Sequence, residues 1–569
     1  MVKLARSDRE RQPATRLQVL DFGIEPIPDF DHLPVPDLLH LDPQPSIDPE
    51  AVYELLDLAF LGKDISDDLE RVMGTALGGG GGDFETDLFA GDLFVEELIR
   101  DSFLLMIGGR RHPIHRSFVF RILCDPPVQV EAIRFRQEIL RELDARPEIL
   151  ANAEQLYLEL SNLLSMFKAP EHAAKLDINT FRLDLLKQSK WVIDWMVEGF
   201  AGCRSGLHRL HQVGAEIQAS EEYRVLDHLL DYENHLGRLQ ISLRVGGDGN
   251  LKDLQILEIE ENESNAFYRS PAQRWWTKLK LFFLRGYRIS NKDVVNRLVR
   301  EVFVKISPCL TPLVQLVGQL EFYLAGRGFR DRAQRLGLEM CLASFDLDRA
   351  PVFENIFNPL LLGQEVAPTP ARVERQSRVG TTILTGPNSG GKTRLLQGLG
   401  LAQLLGQSGL YTTASTANLA LITGLFVSLI ERESAHQAEG RLGRELIRIR
   451  KVFESMDSPA MVIFDELCSG TNPSEGTEII GMVLRLLERL RAISFISTHF
   501  LEYAKQLSAD NSSAALEFLQ VEVDQNQRST YQFVPGVAES SLAAVTAERL
   551  GVTFDELVAL IESKMRQAV

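Results

Sequence analysis

The segment Gly386-Pro387-Asn388-Ser389-Gly390-Gly391-Lys392-Thr393 constrains the fold of this chain more than any other stretch. It satisfies G-x-x-x-x-G-K-[ST], a spacing in which glycines let backbone N–H groups turn inward around phosphate. TTILTG at 381–386 is β-branched and apolar, as a strand buried on both faces should be. RLLQGLGLAQLLGQSG follows with the periodicity of a helix. Strand, glycine-rich turn and helix amino terminus in this order predict an α/β sheet that receives a nucleotide beyond its strand ends. Lys392 would place a point charge on the β- and γ-phosphates, and the Thr393 hydroxyl would coordinate Mg2+. The expected ligands are ATP and Mg2+.

Two more apolar runs support that sheet. MVIFDE (461–466) ends in Asp465 and Glu466. Asp465 suits the Mg2+ shell, and Glu466 suits a base that orients an attacking water. The plain alternative is a strand end carrying two solvated acids. ISFISTH (493–499) ends in His499, which would sense the γ-phosphate if its strand runs parallel to the others, or be structural if not.

At 569 residues the chain exceeds one ordinary core, so two to four domains are expected. Residues 1 to about 50 are proline-rich and acidic and read as an extended lead-in, followed by a short helical stretch and the glycine run Gly78 to Gly82. From about 96 to 235 apolar residues recur at three- and four-residue spacing, with Pro147 and Pro170 at helix handovers. ISLRV and LQILEIE flank Gly246-Gly-Asp-Gly249 and predict a hairpin. A basic, aromatic stretch then runs from 269 to 300 and includes Arg269, Arg274, Trp275, Lys278 and Lys280. Such residues suit phosphate contacts and base stacking, and equally suit an amphipathic helix with a solvated basic face. A further helical stretch runs to about 344.

Five scattered cysteines, none in CxxC spacing, argue against a disulfide framework or zinc site and fit a reducing cytoplasm. No apolar run is long enough to span a membrane, and the amino terminus does not read as a secretory signal. The net charge of −18 weakens a nucleic-acid reading without excluding it, because local patches decide.

Taken in order, TGPNSGGKT, VIFDELCSGTNPSEG, ISTHF and YQFVPGVAESSLAAVTAERLGV resemble the ATPase domain of the MutS mismatch-repair family. The family pattern falls on Asp465, Glu466, Leu467, Gly470, Thr471, Gly476, Thr498, His499, Phe500, Gly536 and Ser540 or Ser541. Weaker similarity in HRSFVFRILCDPPVQVEAIRFRQEILREL and PVFENIFNPLL extends the resemblance over roughly residues 100 to 565. The resemblance implies an α + α/β fold: a helical core and lever domain with a small β-hairpin clamp, then a P-loop, ABC-like α/β ATPase domain with carboxy-terminal dimerisation helices. The corresponding boundaries are 1–95, 96–350 and 351–569.

The first 95 residues are too few and too proline-rich for the family's mismatch-reading domain, and no nuclease domain is expected before Val569. In the family, a serine five residues before a glutamate contacts the partner's γ-phosphate. Counting back from Glu445 places Gly440 there, which leaves only a backbone N–H for that role. Gly440, Gly470 and Thr471 are the candidate trans-acting residues. The implied protein is a cytoplasmic, homodimeric ATP-dependent clamp, compatible with nucleoid association, that recognises branched or distorted double-stranded DNA by shape. The alternative is a clamp ATPase bound to a ribosome or RNA.

Overall fold

The computed structural model describes residues 36–43, 82–167, 178–234, 239–245, 251–259, 291–363, 367–387, 389–429, 441–456, 459–468, 471–510, 515–540 and 552–567. The expected helix ahead of Gly78, the Pro170 handover, the basic cluster Arg269, Arg274, Trp275, Lys278 and Lys280, and Asn388, Gly440 and Gly470 lie outside these residues.

The first part is helical, as its periodicity predicts. It contains α1 (Val95–Ser102), α2 (Arg116–Cys124), α3 (Val130–Ala145), α4 (Pro147–Phe167), α5 (Ile178–Gly199), α6 (His208–Ala219) and α7 (Glu221–Asn234). A small ribbon of β1 (Leu105–Ile107) and β2 (Arg110–His112) sits between α1 and α2. In α3 the buried Val130, Ile133, Leu140 and Leu143 recur at helical spacing. Pro147 opens α4 at a position where its missing N–H breaks no helical bond. The expected hairpin is present as antiparallel β3 (Leu239–Val245) and β4 (Leu251–Ile259).

Next comes α8 (Asn291–Arg335), 45 residues in one helix, about 68 Å at 1.5 Å per residue. It runs through Pro308 and Pro312 and ends short of the 344 expected from its apolar pattern. The stop is made by Gly337 at φ +77°, where the Leu338 N–H returns to the Ala333 carbonyl at 3.0 Å. The apolar residues beyond it become β5 (Cys341–Leu342).

The second part follows with β6 (Val352–Ile356), β7 (Ala371–Glu374), β8 (Gly380–Thr385), α9 (Lys392–Gln407), β9 (Tyr411–Thr412), β10 (Thr416–Asn418) and β11 (Gly424–Ser428). Then come α10 (Arg441–Ser455), β12 (Ala460–Phe464), α11 (Pro473–Arg489), β13 (Ile493–Ser497), α12 (Leu501–Ala509), β14 (Leu516–Val523), β15 (Ser529–Pro535) and α13 (Phe554–Gln567). Six strands form one sheet in the order β11-β12-β13-β8-β14-β15, parallel except for β15, while β5 pairs with β9.

Alternation along β12 assigns the two faces of this sheet. Met461 and Ile463 join a core shared with α9 and the helices of the first part, whereas Val462 and Phe464 join Ile449, Val452 and Val483 of α10 and α11. The described proline-rich residues also enter the first core. Leu38 and Leu39 are buried, with Gln319 accepting the Leu38 N–H at 2.8 Å and Arg136 donating to the Leu39 carbonyl at 2.8 Å. Among the described residues no helix is long and apolar enough to cross a membrane.

Candidate nucleotide site

The parallel register fixes where the site forms. Phe464 of β12 pairs with Ile496 of β13, and Ser497 of β13 pairs with Leu384 of β8, so the three strands end side by side. The loop at Gly386, the acids Asp465 and Glu466, and Thr498-His499 therefore leave the sheet at one edge, where open α/β sheets take their ligands.

The loop between β8 and α9 is shaped by contacts that exclude side chains. Gly386 adopts φ +134°, and a Cβ there would lie 2.8 Å from Val521 of β14. Gly391, at φ +86°, caps α9, and a Cβ on it would meet the Tyr531 ring at 3.1 Å. Pro387 accepts the Gly390 N–H at 2.9 Å, while Ser389 is exposed at the loop's crest. Lys392 is 3% exposed and donates to the carbonyls of Gly386 at 2.9 Å and Pro387 at 3.1 Å. Burial lowers its ammonium from the ordinary lysine value, opposed by the charges of Glu466 and Asp465.

Asp465 joins three elements. The Thr393 hydroxyl donates to one of its carboxylate oxygens and the Ser497 hydroxyl to the other. Its own N–H reaches the Ser428 carbonyl at the end of β11, at 2.9 Å. The Glu466 N–H donates to Ser497 Oγ at 2.9 Å. Glu466 and Cys468 both occupy the left-handed region, at φ +50° and +59°. Non-glycine residues held there each cost on the order of 1–3 kcal/mol and persist only where neighbours over-determine them. Glu445 of α10 is one such neighbour, accepting the Cys468 N–H at 2.5 Å. The buried Cys468 thiol is pushed up to about 12 by burial and by the Glu445 carboxylate.

His499 is half-buried at the end of β13, its ring 4.1 Å from that of Phe500. Phe500 packs over the start of α11, where a Cβ on Gly476 would approach its ring to 3.0 Å. Thr471 donates to Glu475 at 3.0 Å, just ahead of the Asn472 cap of α11. Gly536, at φ +129°, turns the chain so that the Ala538 N–H meets Thr385 Oγ1 at 2.9 Å.

The residues present fit a Mg2+-nucleotide. Loop positions that admit no Cβ form a cradle at a helix amino terminus, and a hydroxyl and a carboxylate already meet beside it. No cluster of three or more His, Cys, Asp or Glu able to hold a metal occurs among the described residues. A divalent ion here would be held by Thr393, Asp465 and the phosphates, as Mg2+ commonly is.

Residues 382–567 match the family model for MutS domain V. Over that carboxy-terminal third the chain is similar to the MutS family. It is 31% identical over 233 residues to an Endonuclease MutS2 of Agathobacter rectalis, covering 37% of this chain and 28% of that protein. It is 34% identical over 173 residues to an Endonuclease MutS2 of Streptococcus uberis, covering 30% and 22%. Against an Endonuclease MutS2 of Symbiobacterium thermophilum the identity is 28% over 277 residues, covering 48% and 33%. The chain therefore spans about a third or less of the length of these MutS-family relatives.

Sequence reasoning missed two residues at this site. Ser497 is a small hydroxyl closing an otherwise apolar strand, and that position was its one signal. Tyr531 lies far along the chain from the loop it touches, and no local pattern marks it; Glu445, which the sequence offered only as the glutamate from which Gly440 is counted, meets Cys468 through the fold.

Proposed function

We propose that this chain is a Mg2+-dependent ATPase that works as a homodimeric clamp on distorted double-stranded DNA. The observation that carries the ATPase reading is the meeting of Thr393 with Asp465 beside Lys392 and Glu466. MutS-family proteins are ATPases that bind DNA and typically act as dimers. Backbone amides of the 386–393 loop and Lys392 hold the phosphates, with Tyr531 flanking the loop's end. Thr393 and Asp465 would hold Mg2+, which would neutralise phosphate charge there. Glu466 orients a water and takes its proton as that oxygen bonds to the γ-phosphorus. The bond to the β–γ bridging oxygen breaks, leaving ADP and phosphate. His499 faces the γ-phosphate, and Gly470, Thr471 and Gly440 meet the partner's nucleotide.

Exposed Phe554, Leu557, Leu560 and Ile561 lie at helical spacing on α13 and support a contact with a second copy. The long α8 suits a lever in the 96–350 domain, between a 1–95 lead-in and a 351–569 ATPase domain. Arg269, Arg274, Trp275, Lys278 and Lys280 are the candidate DNA contacts. The net charge of −18 favours a second reading, a cytoplasmic ATPase clamp on RNA or a ribosome. The test is filter binding at low salt to plain duplex, mismatched duplex, four-way junction and structured RNA, with ATP turnover followed in each. Tight, turnover-changing binding to junction or mismatched DNA is expected. Binding to RNA alone selects the second reading, and binding to none overturns the nucleic-acid function.

A further inference from the structure

We infer that Glu445 is a positioning residue for hydrolysis, holding the loop that carries Glu466 and linking its shape to the first turns of α10. The inference rests on Glu466 being the base. The loop leaves β12 through Asp465 and reaches α11 by way of two left-handed residues, Glu466 and Cys468, on either side of the buried Leu467. Neither is a glycine, so the conformation must be imposed from outside. Two bonds impose it. Ser497 Oγ takes the Glu466 N–H at 2.9 Å from the β13 side, and Glu445 Oε1 takes the Cys468 N–H at 2.5 Å from the α10 side. A carboxylate accepting from a backbone N–H is a charge-assisted bond, stronger than a neutral one.

The helix that supplies Glu445 is itself anchored one turn later. Arg448 donates to the Val427 carbonyl at 2.6 Å and pairs with Asp92. Val427 adjoins Ser428, whose carbonyl takes the Asp465 N–H. The start of α10, the end of β11 and the acid pair thus form one linked unit. A shift of the first turns of α10 would reach Glu466 through Glu445 and Cys468, with little effect on the phosphate loop.

Glu445→Ala removes the acceptor, Glu445→Asp withdraws it by one methylene, and Glu445→Gln keeps an oxygen in place. ATP affinity and single-turnover hydrolysis are measured for each, beside Glu466→Gln and with thermal unfolding as a check on folding. Ala and Asp should leave affinity within about threefold and slow hydrolysis at least about tenfold, with Gln within about threefold of the parent. Should the Ala variant not fold, the Asp and Gln pair carries the comparison. Parental hydrolysis in the Asp variant overturns the inference, as does a Gln variant as slow as Asp. If Glu466→Gln itself hydrolyses at the parental rate, the assignment of the base falls; if only the Glu445 variants do, the base stands and the positioning role falls.

Discussion

Ser497 Oγ accepts the Glu466 backbone N–H at 2.9 Å while its hydroxyl hydrogen goes to Asp465. One small side chain at the end of β13 therefore orients both acids at the end of β12. Ser497→Ala should leave the strand in place, since the site is buried and alanine is smaller. It strips the acceptor from Glu466 and a donor from Asp465, at about 1–3 kcal/mol for the buried groups left unpaired. Turnover should fall roughly tenfold or more, with ATP affinity changed much less. Steady-state kinetics and thermal unfolding of this variant check both halves.

Lys392 gives a pH dependence. Burial, opposed by Glu466 and Asp465, lowers its ammonium below the ordinary lysine value in the free protein. Bound phosphate favours the charged form, so binding takes up a proton once pH has passed the lowered value. ATP affinity should be full below that value and weaken as pH rises through it toward the ordinary lysine value near 10.4. Titration calorimetry across that range should show the decline, and Lys392→Ala should bind weakly with no such slope.

Asp144 of α3 fastens α8 to β9. Its carboxylate accepts from Arg327 of α8 at 2.7 Å and from the Tyr411 hydroxyl of β9 at 2.5 Å, and pairs with Arg330, which stacks over the Tyr411 ring at 4.6 Å. Burial works against the charged form, yet bonds from Tyr411, Arg327 and Arg330 hold the carboxyl below the usual range. Asp144→Asn should cost about 2 kcal/mol near neutral pH. Because the folded value is depressed, that stability is present above the ordinary carboxyl value of about 3.9 and lost as pH falls through the lowered one. Parent and variant melting curves should therefore converge only in acid.

The exposed stripe on α13 predicts an association defect. Phe554 is 82% exposed and continues into Leu557, Leu560 and Ile561. A double change, Phe554→Asp with Leu557→Asp, should shift the protein toward monomer in sedimentation analysis and leave its melting temperature within a few degrees. An unchanged dimer would place the subunit contact elsewhere.

The loop, the acid pair and His499 were legible because each lies at the end of an apolar run, and strand ends are where parallel sheets bind ligands. The hairpin was legible from alternation across a glycine turn. The helical pattern past Arg335 misled because apolar spacing does not register Gly337, whose left-handed backbone ends α8. The docking of Leu38 and Leu39 was hidden for another reason: prolines report local extension and say nothing of the groups on α3 and α8 that receive the segment. Ser497, Tyr531 and Glu445 reach the site through sheet order and helix packing, which no window of sequence contains.

The most direct measurement is ATP turnover by the purified protein with Mg2+, compared with Lys392→Ala and Glu466→Gln. The parent should hydrolyse ATP, Lys392→Ala should neither bind nor hydrolyse it, and Glu466→Gln should bind with near-parental affinity while turnover falls by about a hundredfold or more. Parental turnover in Lys392→Ala would contradict a nucleotide site built on the loop from Gly386 to Thr393, and parental turnover in Glu466→Gln would contradict Glu466 as the base.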